Sequence, residues 1–494
     1  MKKLRILEGH RIWVWFILLS ILISLLVALL SSSLQMGRNI RADAPLDEFE
    51  AHMDERIPAL MKQYRIPGCN IALVKDSEVV WTQGYGYADV ASGRELTANT
   101  PMSVQSITKS VTAWGVMRLV EKGLIDLDDP VSQYLKSWKF PQSDYPTEKI
   151  TTRLLLSHTA GMPLGDFTNV YAPGETMPSN RDVMTREAVL TREAGTGFSY
   201  SNTGYNLLEI LIEDVTGQSF PEYICTKVLL PLGMKSAFFD IHTAANPYPP
   251  TGYNLRGKPV PVYLYPSKAS GGLFATAHDI ARFAAAGMKE NPVLSGESIK
   301  LLYAPQNHKI GIYGLIFEAY GFGHYIEKLP NVALSVSHGG QGNGIMTHMQ
   351  AVPETGDAIV ILTNSQRSWP FIAYVLSDWA QWRGFPSVGM GRIIWGHYVL
   401  CAVIGMLIST SLLMVFRLLI NFYQHKRTSF RLLQVGAASI LLGLLIWCAC
   451  QKYLFITSVF PILSTWLEGA TLVFSIALLL SALFPTHLRN TGKL

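Results

Sequence analysis

Four long apolar runs divide the chain. The first, Ile12 to Leu30, is nineteen residues without a charge and follows a basic tail at residues 1–11. At about 1.5 Å of rise per residue, a helix of this length nearly spans a hydrocarbon core of about 30 Å. Three more runs close the chain, at residues 393–416, 432–450 and 465–484. Because helices satisfy their own backbone groups in lipid, the pattern predicts one N-terminal and three C-terminal transmembrane helices.

Basic residues flank these runs on alternate sides, which predicts the orientation of the chain. They are Lys2, Lys3, Arg5, Arg11, Arg417, Lys426, Arg427, Arg431, Arg489 and Lys493. If all of them face the cytoplasm, residues 31–391 lie outside it, and Arg392 is the exception to the pattern. We therefore expect a multi-pass protein of the bacterial cytoplasmic membrane with a large extracytoplasmic segment. The alternative is a cleaved signal peptide ending near Ala28, which leaves that segment on the same side.

Shorter apolar patterns fill the segment between the first two runs. A linker at 31–44 leads into residues 45–388, which are enough to bury a core of their own. The spacing predicts helices at 45–65, 106–123 and 369–383, and strands at 71–76, 78–89, 332–340 and 357–364. The stretch 125–235 has helical patches interrupted by glycine and proline. This order of elements predicts an α+β fold with an antiparallel sheet.

Composition supports a membrane protein and excludes several other classes. Hydrophobic residues make up 49% of the chain and charged residues 16%, against about 25% charged in an ordinary soluble domain. The net charge of +5 is too small to indicate nucleic-acid binding. Of the five cysteines, Cys401, Cys448 and Cys450 lie in apolar runs, which excludes a disulfide scaffold.

Ser106 and Lys109 are the first candidates for chemistry. On a helix, positions three apart share one face, with Cβ atoms about 5–6 Å from each other. A lysine whose pKa is lowered by burial can accept a serine proton. A helix N-terminus also offers free backbone N–H groups to an oxyanion. Taken alone, Ser-x-x-Lys is equally typical of a solvated helix face.

Two polar clusters later in the chain supply candidate partners. Tyr200-Ser201-Asn202 lies between glycines in GTGFSYSNTGYN, which indicates a loop. His338-Gly339-Gly340 follows an apolar strand, where glycine allows close approach of a ligand to the backbone. Taken singly, each cluster is at least as well explained by an ordinary turn.

The order and separation of these elements resemble the class C β-lactamase and penicillin-binding-protein family of serine hydrolases. Three further segments carry the resemblance: LLLSHTAGMP (154–163), ASGGLFATAHDIARFA (269–284) and YGFG (320–323). The similarity covers nearly all of residues 45–385. It implies a β-lactamase/transpeptidase-like fold, an antiparallel sheet flanked by helices with a helical subdomain. It also implies a site between the two parts that requires no metal and no other cofactor.

The resemblance implies a role for each catalytic candidate. Ser106 would attack a carbonyl carbon and become an acyl-enzyme. Lys109 and Tyr200 would share the proton transfers, with Tyr200 protonating the leaving group.

Six further residues, Ser103 among them, would bind the substrate. Asn202 would hold the substrate amide, and His338 would take the place of the lysine in the family's Lys-Thr-Gly motif and supply polarity near the phenol. Gly339 and Gly340 complete that motif. The backbone N–H of Gln341, together with that of the nucleophile, would form the oxyanion hole.

Departures from the family pattern bear on the substrate. Gly339 stands where penicillin-recognising relatives often have a hydroxyl side chain that helps bind a free carboxylate. The membrane-anchored prodrug-activating D-amino-acid peptidases, similar to the colibactin-maturation peptidase, share the three C-terminal helices and the string SHGGQ (337–341). They remove an N-acyl-D-amino-acid cap from an exported peptide natural product. Ser103, which would line the pocket, stands where that peptidase has a glutamate that helps bind D-asparagine.

We therefore expect a membrane-anchored extracytoplasmic serine peptidase or amidase that acts on a D-amino-acid-containing amide. The alternatives are an esterase on the same scaffold, a D-Ala-D-Ala carboxypeptidase or β-lactamase-type penicillin-binding protein, and a non-catalytic membrane sensor or binding protein. The expected partners are a small peptide or amide substrate and the lipid bilayer, with no nucleic acid. The sequence leaves the oligomeric state open.

Overall fold

The computed structural model describes residues 2–31, 40–241, 247–331, 333–423, 432–451 and 454–483. The chain divides into a larger unit, Ile40–Arg392, and a smaller unit formed by Met1–Asn39 with Ile393–Leu494. Most of the predicted linker 31–44 lies outside the described residues. So do the basic residues Lys426, Arg427, Arg431, Arg489 and Lys493, on which part of the predicted orientation depends.

An eight-stranded antiparallel sheet forms the centre of the larger unit. Including those outside this sheet, the strands of the larger unit are β1 (Gly68–Lys75), β2 (Glu78–Asp89), β3 (Arg94–Glu95), β4 (Met102–Ser103), β5 (Gly252–Tyr253), β6 (Pro259–Val260), β7 (Phe274–Ala275), β8 (Ala319–Tyr320), β9 (Tyr325–Lys328), β10 (Leu334–Gly342), β11 (Ile345–Val352) and β12 (Asp357–Thr363). The sheet order is β3-β2-β1-β12-β11-β10-β9-β8, and β4 with β7 and β5 with β6 form two small ribbons. The predicted α+β fold with an antiparallel sheet is therefore confirmed.

Helices cover the sheet and form the smaller unit. They are α1 (Lys2–Ser31), α2 (Leu46–Tyr64), α3 (Thr108–Glu121), α4 (Thr152–Leu156), α5 (Asn180–Glu187), α6 (Asn202–Thr216), α7 (Phe220–Ile224), α8 (Ala277–Ala286), α9 (Gly296–Leu302), α10 (Trp369–Trp382), α11 (Arg392–Tyr423), α12 (Leu432–Cys450), α13 (Phe455–Val459) and α14 (Leu463–Leu483). Short 3₁₀ turns occur at Gln105–Ile107, Val131–Gln133, Thr147–Lys149, Gly311–Leu315 and Gly389–Gly391, and a π-helical turn at Cys225–Leu229.

The central strands are buried on both faces, which explains their continuous apolar sequences. In β1, Ala72 and Val74 belong to the main core, which also contains residues of α8 and α3. The alternate residues Ile71 and Leu73 are buried as well. A strand covered by helices on both sides needs apolar side chains at every position rather than at every second one.

The helix predicted at 106–123 differs at its start. The structure has a 3₁₀ turn at Gln105–Ile107, and α3 follows from Thr108 to Glu121. The strand β11 was not predicted.

The smaller unit contains the candidate membrane helices. Within the part of the chain that the structure describes, four segments are long and apolar enough to cross a bilayer: Val14–Ser31, Gly389–Tyr423, Leu432–Cys450 and Leu463–Leu483. Residues 2–11, predicted as a tail, continue the backbone of α1. A Cβ at Gly405 would lie 2.8 Å from the backbone nitrogen of Ser24, so the glycine lets α11 approach α1 closely.

Candidate active site

Ser106 lies on a sharp backbone turn just before α3. The preceding residue, Gln105, has a φ of +52°, in the left-handed region that a side chain disfavours. The turn is held by Thr108, whose hydroxyl donates to the Gln105 carbonyl at 2.6 Å and accepts from the Leu273 N–H at 3.2 Å. The turn leaves the Ser106 side chain partly exposed at the N-terminal end of a buried helix.

Lys109 is completely buried, and three oxygen atoms surround its amine. Nζ lies 3.0 Å from Ser106 Oγ, 2.8 Å from Asn202 Oδ1 and 2.7 Å from the carbonyl oxygen of Ser270. Burial lowers the pKa of Lys109 well below its ordinary value, because the charged form is poorly solvated there. A neutral amine, able to act as a base, is therefore present at pH values where an exposed lysine is fully charged.

The three neighbours fix the direction of the lone pair on the neutral amine. The carbonyl oxygens of Ser270 and of the Asn202 amide can only accept hydrogen bonds. The two N–H bonds of the neutral amine therefore point at those oxygens. The lone pair is left for Ser106, the one neighbour of the three that has a proton to give. This arrangement suits Lys109 to deprotonate Ser106.

Tyr200 brings a phenol to the same place from the loop before α6. It hydrogen-bonds with Ser106, and its ring centre lies 5.0 Å from Lys109 Nζ. Burial and then the nearby Tyr313 raise the pKa of the Tyr200 phenol well above its usual range, outweighing the hydrogen bond to Ser106, which lowers it. The phenol therefore stays protonated. It is suited to donate a proton to a leaving group, and not to act as a base in its phenolate form.

His158 packs against the ring of Tyr200. Its ring centre lies 4.3 Å from that of Tyr200, and its Nδ1 accepts the backbone N–H of Ser201 at 3.1 Å. Burial, followed by the nearby Lys109, lowers the pKa of His158 well below its usual value, so the ring is neutral. The sequence motif LLLSHTAGMP (154–163) contains His158 but does not by itself indicate this role.

Asn202 is the first residue of α6, and that position orients its amide. Ser201 caps the helix, since its Oγ accepts the Gly204 N–H at 2.8 Å and donates to the Pro163 carbonyl at 2.5 Å. The Asn202 N–H donates to the Leu164 carbonyl at 2.9 Å. The predicted loop therefore ends at a capped helix start, and the Asn202 side chain is directed at the lysine amine.

The carbonyl of Ser270 is held in place by a buried carboxyl group that sequence reasoning did not identify. Glu209, on α6, accepts the backbone N–H groups of Lys268 and Ala269 at 2.5 and 2.8 Å. Burial raises the pKa of Glu209 to about 7. Glu209 thereby fixes the loop that supplies one of the oxygens around Lys109.

Strand β10 lies against the turn that carries the nucleophile. A Cβ at Gly340 would overlap the Thr347 hydroxyl and the Val104 carbonyl, so a glycine is required for this close approach. Strand β9 pairs with β10 only as far as Ser337. Gln341 follows on the stretch that β9 does not cover, in register with Met346 of β11. The oxyanion role of its N–H stays a prediction.

His338 lies apart from the proton-transfer cluster. Its Nδ1 donates to the Gly339 carbonyl at 2.8 Å, so its Nε2 accepts from the Tyr320 hydroxyl at 3.1 Å. Its ring centre is 6.3 Å from that of Tyr200. Burial and then Lys109 lower the pKa of His338 well below its usual value, so it is a neutral group and supplies no lysine-like charge. A side chain at Gly339 would meet Trp369, nearest at 3.1 Å.

Ser103 belongs to an uncharged cluster behind the nucleophile. Gln105 Nε2 donates to Ser103 Oγ at 2.8 Å and to the Tyr263 hydroxyl at 3.3 Å, while the Tyr265 hydroxyl donates to Gln105 Oε1 at 3.2 Å. Ser103, Tyr263 and Asn343 also line a cleft. Among the described residues, no group of three His, Cys, Asp or Glu side chains is placed to hold a metal ion.

Comparisons with known proteins show to which family the chain belongs. The family model described as Beta-lactamase matches residues 53–374, well over half of the chain. Protein flp of Staphylococcus aureus (strain MW2) is 32% identical over 215 residues, which cover 43% of this chain and 42% of that relative. The chain thus matches less than half the length of this curated relative. Penicillin-binding protein 4* of Bacillus subtilis (strain 168) is 25% identical over 352 residues, covering 66% of this chain and 74% of the relative.

Two solved structures show the same fold. The octameric penicillin-binding protein homologue from Pyrococcus abyssi superposes with a TM-score of 0.56 at 28% identity, covering 67% of this chain and 78% of that chain. SurE superposes with a TM-score of 0.56 at 26% identity, covering 69% and 76%. The chain therefore belongs to the Beta-lactamase family and is similar to penicillin-binding proteins and their homologues.

Proposed function

We propose that this protein is a membrane-anchored serine peptidase or amidase that acts outside the cytoplasm on an amide containing a D-amino acid. The observation that carries the proposal is the set of contacts around Lys109 Nζ, which leaves its lone pair directed at Ser106 Oγ. In this proposal Ser106 attacks the amide carbonyl as Lys109 takes its proton. Water then hydrolyses the acyl-enzyme.

The Tyr200 phenol favours an amide over an ester. An amine leaves as a strongly basic anion unless it is protonated, whereas an activated ester releases a stable anion without help. A phenol that stays protonated and lies beside the nucleophile is the donor that the harder reaction needs.

The pocket chemistry favours an uncharged, N-acylated substrate. Ser103, Gln105, Tyr263 and Tyr265 satisfy one another's hydrogen bonds without a charge. Such a cluster matches a neutral polar group better than a free amine or carboxylate. The D configuration is inferred from the resemblance of SHGGQ (337–341) to the prodrug-activating peptidases. The narrower form of the proposal is removal of an N-acyl-D-amino-acid cap from an exported peptide natural product.

Membrane anchoring is supported by the four apolar helices. The extracytoplasmic side is inferred from the basic residues that flank those helices in the sequence, among them Arg11 and Arg417.

A second candidate is a D,D-carboxypeptidase or another penicillin-recognising enzyme. The names of two relatives favour it, since both are penicillin-binding proteins or their homologues. The absence of a hydroxyl side chain at Gly339 weighs against it.

One set of assays separates these functions. Full-length protein in lipid nanodiscs would be incubated with acyl-D-Asn and acyl-L-Asn amides, p-nitrophenyl esters and a fluorescent penicillin, with Ser106→Ala as the control. We expect cleavage of the D-amide well above the L-amide, abolished in the control. Ester turnover without amide turnover would favour an esterase, and stable penicillin labelling of Ser106 would favour the second candidate. Equal amide turnover by the control would contradict every form of the proposal.

A further inference from the structure

The 3₁₀ turn Gly311–Leu315 presents two aliphatic side chains to the surroundings. Ile312 is 54% exposed and Leu315 is 67% exposed. The neighbouring aromatic residues point the other way: Tyr313 lies with its ring centre 5.6 Å from that of Tyr200, and Phe317 stacks on Tyr325 at 4.3 Å. The turn therefore packs against the candidate site through Tyr313, and its exposed side is apolar.

The same turn is joined to the residue at which the first C-terminal helix begins. Arg392, the first residue of α11, donates from Nη1 to the Leu315 carbonyl at 3.1 Å. A Cβ at Gly389 would overlap the carbonyl of Ile316, so this stretch lies directly against the residues before α11. Leu315 is therefore one hydrogen bond from the point where the chain enters a candidate membrane helix.

Two exposed aromatic residues near the start of α11 indicate where this helix crosses the boundary between water and lipid. Trp395 is 74% exposed and Tyr398 is 45% exposed, both in the first two turns of α11. Exposed Trp and Tyr near the end of a membrane helix are typical of the boundary between lipid and water. At about 1.5 Å per residue, Arg392 precedes Trp395 by only about 4–5 Å along the axis.

We propose that Ile312 and Leu315 insert into the lipid interface, so that the turn carrying Tyr313, whose ring packs beside that of Tyr200, lies at the membrane surface. The inference rests on the membrane anchoring given under the proposed function and adds a substrate class to it. The favoured substrate is an amphiphilic amide whose apolar chain is partitioned in the bilayer. The aliphatic pair would otherwise be exposed to water, and burying it in the interface is favourable.

Photo-crosslinking to lipid tests the contact directly. A benzophenone amino acid would replace Ile312, Leu315, Trp395 or Leu124 in the full-length protein, reconstituted in vesicles of phosphatidylethanolamine and phosphatidylglycerol with a clickable acyl chain. Leu124 is a matched control, since it is 52% exposed elsewhere on the larger unit. We expect lipid adducts at 312, 315 and 395, with few at 124. Adducts at 395 alone would overturn this inference and leave membrane anchoring intact. Absence of adducts at all three would overturn both.

Kinetics test the consequence for substrate choice. Two amides with the same scissile bond, one with a short soluble acyl chain and one with a long chain held in vesicles, would be given to the Ile312→Ser/Leu315→Ser variant and to Leu124→Ser. We expect kcat/KM of the double variant to fall about tenfold for the long-chain amide, on the scale of withdrawing two aliphatic groups from lipid. For the soluble amide it should stay within about twofold, because Tyr313 remains in place. Unchanged turnover of the long-chain amide, or equal losses on both, would overturn the inference.

Discussion

Lys109 Nζ donates to Asn202 Oδ1 at 2.8 Å, a contact that joins the helix after the nucleophile to the first residue of α6. Since the Ser270 carbonyl takes the second N–H of a neutral amine, the amide and the carbonyl together direct the lone pair at Ser106. Deprotonation of Ser106 by Lys109 thus requires an uncharged hydrogen-bond acceptor at position 202. A carboxylate there would stabilise the ammonium form and remove the base.

Asn202→Asp tests that requirement with almost no change of shape. The new carboxylate should raise the pKa of Lys109, because an opposite charge beside a buried amine favours its charged form. We expect kcat/KM at neutral pH to fall by about a hundredfold or more, and the rising limb of its pH profile to move to higher pH. Asn254→Asp, in a turn where Oδ1 remains an acceptor, should leave the profile unchanged. An unshifted limb in the Asn202 variant would argue against the assigned role of Lys109.

Lys109→Arg distinguishes a base from a fixed positive charge. Arginine is always charged because it is not deprotonated in proteins, so it cannot accept the Ser106 proton. We expect a loss of about a thousandfold or more in the acylation rate, similar to that of Lys109→Met. Thermal unfolding of both variants would show whether they fold. Substantial activity in the arginine variant alone would mean that Lys109 acts through its charge.

Tyr200→Phe removes the proton donor while keeping the ring against His158. The loss should depend on the leaving group: about a hundredfold to ten-thousandfold for an amide, and much less for a p-nitrophenyl ester, which needs no protonation. The two substrates would be compared in the same preparation. Equal losses on both would assign Tyr200 a role in positioning Ser106 instead.

Gly340→Ala should separate β10 from the nucleophile turn. The added Cβ would overlap the Thr347 hydroxyl and the Val104 carbonyl, and a backbone atom cannot move aside as a flexible side chain can. We expect lower thermal stability together with a large loss of turnover. Gly339→Ala is the matched control, because its Cβ would meet nothing closer than the edge of the Trp369 ring, at 3.1 Å. Similar behaviour of the two variants would contradict this packing.

Glu209→Gln tests the buried carboxyl group behind Ser270. Burial raises the pKa of Glu209 to about 7, so the folded state favours the protonated form. Its contribution to stability is therefore present in full at low pH and is lost as the pH rises through about 7. Over that range the free energy of unfolding of the wild type should fall relative to that of the glutamine variant, by at most about 3 kcal/mol. A lower thermal midpoint of the wild type would show this change. A constant difference between the two proteins would contradict the raised pKa.

The sequence predicted those parts of the fold whose pattern is local. The apolar membrane runs, the strands β1, β2 and β12 and the helix α10 all follow from spacing. Strand β11 was missed because three polar side chains interrupt its apolar pattern. These are Thr347, His348 and Gln350, which are all buried. Thr347 donates to the Val104 carbonyl, Gln350 donates to Ser335 Oγ, and His348 Nε2 contacts Gln350 Oε1.

In the candidate site, too, only the residues that lie in sequence motifs could be predicted. The motifs predict Ser106, Lys109, Tyr200 and Asn202 as site residues, and the structure brings these four together. His158 and Glu209 act through tertiary contacts, one against the Tyr200 ring and one through the loop at Ser270. No spacing rule relates those positions, so only the folded chain shows their roles. For His338, the family motif suggested a lysine-like position, and the buried neutral ring differs from it.

The central claim is that Ser106 forms the acyl-enzyme. The most direct measurement is rapid quenching of full-length protein during turnover of an acyl-D-amino-acid ester or amide, followed by peptide mass mapping. The account predicts an acyl adduct on the peptide that contains Ser106, located on that residue and absent in Ser106→Ala. Turnover with the adduct on another residue, or undiminished turnover by Ser106→Ala, would contradict it.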